Sequence, residues 1–156
     1  LVFRTDVAPF SDIRVRQAVR MAADRGELVK LIMGGSATIA CDTPVKPDDQ
    51  YRADIKCPQD IAGAKKLLSE AGFANGIDVD VYVATLEPTW PTLAEAYQQQ
   101  AAKAGIRVNI KQVPSDGYWK DTWMQKPVSA TRWNERPADS ALHESYLEKA
   151  KWKEPY

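Results

Sequence analysis

Two short segments, "DVDVYVA" and "IRVNIKQV", alternate apolar and polar side chains, and the stretch between them follows a different period. In the first, Val79, Val81 and Val83 alternate with Asp78, Asp80 and Tyr82; in the second, Ile106, Val108 and Ile110 alternate with Arg107, Asn109 and Lys111. A period of two puts one face of a strand against a core and leaves the other polar. Between them Leu93, Ala96, Tyr97, Ala101 and Ala104 recur at helical spacing, and "KAGI" places Gly105 for a left-handed helix ending. Strand, helix, strand reads as a βαβ unit, whose two strands are parallel and whose crossover is right-handed, because a right-twisted strand packs its helix back onto the sheet only that way. A chain committed to such a unit belongs to the α/β class.

The other segments supply flanking helices. Val15, Ala18, Val19 and Ala22 fall at helical spacing after Ser11 and Asp12, either of which suits the N-cap. Asp24 begins a second helix, with Glu27 as an acidic variant of the capping box, Leu28, Leu31 and Ile32 as the buried stripe, and Gly34 and Gly35 as the stop. Ile61, Ala64, Leu67, Leu68 and Ala71 mark a third, closed by Gly72 with Phe73 as the accompanying apolar contact. Further on, "SDGYWKDTWMQK" reads as a helix capped by Ser115, "VSATRW" as a short strand, and "ADSALHESYLEKA" as a last helix with Pro137 at its start. The expected architecture is a βαβ unit in a mixed sheet with flanking helices.

Length and charge narrow the function. A chain of 156 residues that is 44% hydrophobic can bury one proper core, so residues 1–156 are expected to form one α/β lobe. Lys plus Arg and Asp plus Glu number 21 each, which removes the broad basic footprint of a nucleic-acid binder. No apolar run is long enough to span a bilayer. Cys41 and Cys57 flank a polar stretch with two prolines and no helical period, which reads as a long surface loop. A bridge there would close a loop of about 15 residues and contribute about 3 kcal/mol in the chain-entropy model. Composition is equally consistent with two unconnected thiols.

Enzyme chemistry has no home in this layout. His143 is the only histidine and lies in an expected surface helix; there is no G-x-S-x-G elbow, and "MGGSA" lacks the lysine and spacing of a phosphate loop. One histidine and two distant cysteines do not make a closed metal set. Neither catalysis nor a cofactor is expected.

A binding surface remains, and "TRWNERPADSALHESY" is the candidate. Ligands of open α/β sheets bind beyond the carboxyl ends of strands, and this segment follows a strand expected to end near Trp133. Trp133 offers a stacking face, Arg136 a two-pronged donor for a carboxylate beside a helix N-terminus, and Asp139 a partner for an ammonium group. Together with Asn134 these are the candidate ligand contacts. The competing reading has Trp133 in the core, Arg136 paired with Glu135 or Asp139, and Asp139 completing the first helical turn. Trp90, Trp119 and Trp123 fit burial better than ligand contact.

"PFSDIRVRQAVRMAADRGELVKLIMGGSA", then "DIAGAKKLLSEAGF", then the pair ending "AAKAGIRVNI", then "RWNERPADSALHESY", resembles in order and spacing the family 5 extracellular solute-binding proteins of ABC importers, the oligopeptide, dipeptide and nickel group. The resemblance implies a fragment covering most of the second lobe of a two-lobed, monomeric protein. Such a protein acts in the periplasm or at the cell surface, captures a peptide or other small solute between its lobes, and delivers it to ABC transporter permease subunits. It implies that Pro9 to Gly35 is a structural helix pair, with Arg14, Arg16, Asp24 and Arg25 in surface pairing and capping. An oxidising compartment also favours a Cys41–Cys57 disulfide. Peptide-binding members carry an acidic residue three positions after the tryptophan, where Arg136 stands here, so a solute with an anionic group facing this lobe is expected. The alternative is the ligand-sensing effector domain of a transcriptional regulator, which would attach the same lobe to a DNA-binding module.

Overall fold

Residues 1–147, 150 and 152 are described by a computed structural model. The chain runs β1 (Val2–Phe3), α1 (Ile13–Met21), α2 (Arg25–Met33), α3 (Ile61–Glu70), β2 (Ile77–Val83), α4 (Thr89–Ala102), β3 (Ile106–Gln112), α5 (Tyr118–Asp121), β4 (Val128–Ser129) and α6 (Ala138–Ser145). The β2–α4–β3 unit forms as its periodicity predicts, with β2 and β3 parallel in register from Ile77 opposite Ile106 to Val83 opposite Gln112. On the far side of β2 lies β4, parallel to it, and β1 pairs antiparallel with β4, so the sheet is mixed with order β1-β4-β2-β3.

Alternation in β2 works as read: Val79, Val81 and Val83 are buried, and the aspartates between them face outward, where Asp78 meets Arg107 of β3 (2.7 Å). The turns that feed β2 and β3 nearly touch. A Cβ on Gly76 would lie 2.3 Å from the Gly105 carbonyl oxygen, and its φ of +86° is one that L side chains rarely adopt, so glycine is required on both counts.

Capping fixes the helices. Asp12, not Ser11, caps α1 by accepting from Arg14 N–H (2.8 Å), and Asp60 caps α3 through Gly63 N–H (2.8 Å). Asp24 caps α2 through Glu27 N–H (3.0 Å), but the reciprocal half of the box comes from α4: Gln100, buried, accepts from Asp24 N–H (2.9 Å) and donates to the Glu27 carboxylate (2.7 Å). Phe73 N–H reaches back to the Leu68 carbonyl (2.8 Å), closing α3 as expected. The Tyr97 hydroxyl, buried, donates to the Val19 carbonyl (2.8 Å) and ties α4 to α1.

Several sequence expectations need correction. Leu31 is 60% exposed and α2 has no fully buried residue, because α2 meets α4 chiefly through its first turn. The helix expected over "SDGYWKDTWMQK" is a single turn, since Gly117 takes a left-handed conformation (φ 75°) ahead of Tyr118 and Ser115 makes no side-chain cap. The strand expected over "VSATRW" ends at Ser129, and residues 130–137 have no regular structure. The last helix stops at Ser145; Glu148 and Lys149, included in its sequence reading, lie outside the described residues.

Candidate functional site

The candidate segment starts where the sheet runs out. Ala130 N–H donates to the Tyr82 carbonyl (3.1 Å), and then the chain leaves β2. Tyr118 holds this departure point: its hydroxyl donates to the Ala130 carbonyl (2.8 Å) and accepts from Ala130 N–H (3.0 Å). Burial pushes the Tyr118 hydroxyl up to about 12, so it remains a neutral donor and acceptor. Around it runs a chain of rings in which Trp90 meets Tyr118 and Trp119, Trp119 meets Trp123, and Trp123 meets Trp133, at centroid separations of 5.3 to 6.0 Å. Trp90 and Trp123 are buried, whereas Trp119 is half exposed.

Trp133 is partly buried, one side packed on the core, and the Arg136 guanidinium lies over its ring at 5.0 Å from the centroid. Arg136 pairs with neither Glu135 nor Asp139. Its Nη1 donates to the Glu144 carboxylate, two helical turns further on in α6. Its Nε is buried without a hydrogen-bond partner, as is the Thr131 hydroxyl on the same segment.

Two cavities meet at this point. The larger, about 1320 Å³, is walled by α1, the loop after α2 and the 131–146 segment, with Arg16, Asp42, Lys46, Tyr97, Thr131 and Trp133 among its lining residues. The smaller, about 280 Å³, lies at the carboxyl end of β2 between Leu86, Trp90, Trp119 and the Arg132–Glu87 ion pair (2.6 Å). Trp133, Asn134 and Arg136 line both; Asp139, exposed in the first turn of α6, lines neither. Three of the four candidate contacts are thus brought together, and the fourth stands apart.

The loop wall of the larger cavity was not anticipated. A disulfide joins Cys41 and Cys57, with their Cα atoms 5.5 Å apart. Next to it Asp42 accepts from Arg20 Nε (3.1 Å) and Arg25 Nε (3.0 Å). Burial alone would push the Asp42 carboxyl up, but the hydrogen bonds and charges of Arg25 and Arg20 outweigh it and hold the group below the ordinary carboxylate range. Arg25, with only 13% of its side chain exposed, is therefore more than a surface pairing residue: it also donates to the Cys57 carbonyl (3.2 Å). From this loop Lys46 reaches Glu135 (3.2 Å), linking the loop to the Trp133–Arg136 segment. The two acidic neighbours of Arg136 and the separation of 89 residues between Lys46 and Glu135 explain why sequence spacing could not show this link.

Among the described residues no group of three or more His, Cys, Asp or Glu side chains is placed to hold a metal ion, and no helix is long and apolar enough to cross a membrane.

Residues 1–152 match the family model of the bacterial extracellular solute-binding proteins, family 5 Middle. The chain belongs to that family. Membership places it among extracytoplasmic proteins. It is 32% identical over 115 residues to heme-binding protein A of Haemophilus influenzae, covering 70% of this chain and 21% of that one. It is 34% identical over 103 residues to the glutathione-binding protein GsiB of Escherichia coli K12, covering 65% of this chain and 20% of that one. Among solved structures, the periplasmic binding protein DppA of Helicobacter pylori, in complex with the peptide STSA, superposes with a TM-score of 0.78 at 27% identity, covering 90% of this chain and 28% of that one. The chain therefore spans about a fifth of the length of the curated relatives it matches. These relatives are binding proteins rather than enzymes.

Proposed function

We propose that this chain is one lobe of a two-lobed substrate-binding component of an ABC importer, and that it holds a small solute by an anionic group and passes it to the membrane permease, without catalysis. Arg136 grips the anionic group, Trp133 packs against an apolar part, and Asn134 adds a polar contact at the junction of the two cavities. The observation that carries this reading is the state of Arg136. Its guanidinium is fixed over the Trp133 ring, lines both cavities and keeps a buried Nε–H without an acceptor. A planar donor fork with an unused N–H is suited to a carboxylate, which accepts two parallel bonds.

The ligands named for the relatives fit this chemistry. Heme carries propionates, glutathione has two carboxylates, and a free peptide ends in one. Binding of these solutes to this chain is the proposal's content, and calorimetry on the intact binding protein tests it with heme, glutathione and the peptide STSA. For the solute that binds, Arg136→Ala is expected to weaken affinity at least thirtyfold, the equivalent of about 2 kcal/mol for a lost charged hydrogen bond in a closed site. A change within about threefold, with unchanged melting, makes Arg136 a structural residue and removes the anionic-solute reading.

A further inference from the structure

We propose that Glu144 is a built-in competitor for Arg136: its carboxylate occupies the guanidinium in the unliganded lobe and yields to the solute's anionic group, so that Glu144 sets how strongly anionic solutes are preferred. The inference rests on the reading of Arg136 as the anion contact. Three observations support it. Arg136 bypasses its nearest acidic neighbours and pairs with Glu144, so the partner is chosen by the fold and not by sequence proximity. Glu144 stands in the last turn of α6, at the negative end of the helix, where a carboxylate is disfavoured. The helix gives no reason for an acid at that position; the guanidinium does. Finally, the two sides of the pair differ in exposure, with 41% of the Glu144 side chain accessible against 25% for Arg136, so the carboxylate can swing into water while the guanidinium stays on Trp133.

The consequence is a cancellation of charge. An arriving anion meets a neutral pair, and its attraction to Arg136 is offset by repulsion from Glu144 and by the need to displace it. A solute without an anionic group neither displaces the Glu144 carboxylate nor is repelled by it, so its affinity does not depend on Glu144. Glu144→Gln removes the repulsion and keeps a side chain of the same shape.

The test uses calorimetry on the intact binding protein with heme, glutathione and STSA, each also in carboxyl-methylated form, on wild type, Glu144→Gln, Glu144→Ala and Arg136→Ala. Both Glu144 variants are expected to bind the carboxylate form about tenfold more tightly while the methylated form stays within about threefold of wild type. Equal tightening of both forms, or no change in either, overturns the proposal. When Arg136→Ala weakens binding and the Glu144 variants leave it unchanged, the solute reading stands and the competitor fails. Absence of binding by all three probes in every variant overturns both. Melting temperatures check that each variant is folded.

Discussion

Removing the bridge between Cys41 and Cys57 should lower stability without dismantling the site. More than the bridge holds the loop. Arg25 and Arg20 grip Asp42, Arg25 donates to the Cys57 carbonyl, Arg52 donates to the Ala40 carbonyl (2.8 Å), Gln59 donates to the Ala22 carbonyl (3.0 Å), and Asp60 N–H donates to the Met21 carbonyl (2.9 Å). The Asp42, Cys57, Gln59 and Asp60 contacts anchor both ends of the loop to the α1–α2 corner, and the Arg52 contact closes the loop on itself, all independently of the sulfurs. The folded state therefore keeps its geometry when the bridge is absent, and the effect falls on the unfolded chain, which regains the freedom of a loop of about 15 residues. That is worth about 3 kcal/mol in the chain-entropy model. At about 2 to 4 °C per kcal/mol for a chain of this size, the melting temperature of Cys41→Ser/Cys57→Ser should fall by about 6 to 12 °C.

Differential scanning calorimetry of the two proteins reads the shift. Intact-mass analysis after thiol alkylation establishes the starting state: material exported to an oxidising compartment should take up alkyl groups only after reduction. Uptake of two groups without reduction means that no bridge exists in solution. A shift below about 2 °C in protein shown to be bridged would mean that the loop loosens in the folded state too, and that the arginine anchors do not hold it as argued.

Two further outcomes follow from buried and capping polar groups. Gln100→Leu puts an apolar side chain in the buried Gln100 position and leaves the partly buried Asp24 N–H without its acceptor, while the exposed Glu27 carboxylate turns to water, so it should cost about 1 to 3 kcal/mol, read as a lower urea midpoint with an unchanged slope. The Asp12 carboxyl is held down at about 2 by hydrogen bonds from the Arg14 side chain and then its backbone N–H. A lowered carboxyl contributes stability above its ordinary value of 3.8 and loses it as pH falls toward about 2, so the melting difference between wild type and Asp12→Asn should be constant near neutrality and vanish across that window. A difference that persists at the acid end would assign it to something other than the Asp12 charge.

The legible parts of the fold were those whose partners lie close in sequence or whose pattern is long. Alternation over seven residues in β2 and over Ile106 to Lys111 in β3, with a full helix between, left little choice of class, and Asp12 and Asp24 mark helix starts because an N-cap acts on its own next turn. The illegible parts were those decided by remote partners. Val2 and Phe3 become a strand only because Val128 and Ser129 lie beside them, and a two-residue strand has no period to read. Gln100 looks like an ordinary polar position on α4; only the corner packed against it makes it the missing half of the α2 cap. For the site, the nearness of Trp133 and Arg136 was readable from three positions of spacing, but the choice of Glu144 over Glu135 and Asp139 depends on the direction in which α6 leaves the segment.

That direction is set by the end of the sheet. β4 finds hydrogen-bond partners for its backbone only as far as Tyr82, and beyond Ala130 the chain must satisfy its polar groups by other means. Tyr118 meets the backbone of Ala130 on both sides, which stops the strand and turns the next residues toward the mouth of the cavities. The irregular segment that follows is therefore not a slack connection. It is anchored at one end by a buried tyrosine and packed at Trp133 on the core. Lys46 of the disulfide-held loop ties it at Glu135, and Arg136 ties it back to α6. Such an arrangement fixes a guanidinium beyond the end of β4; under the proposed reading the donor is already held on Trp133 before a solute arrives, so that beyond release of Glu144 little ordering remains to be done on binding.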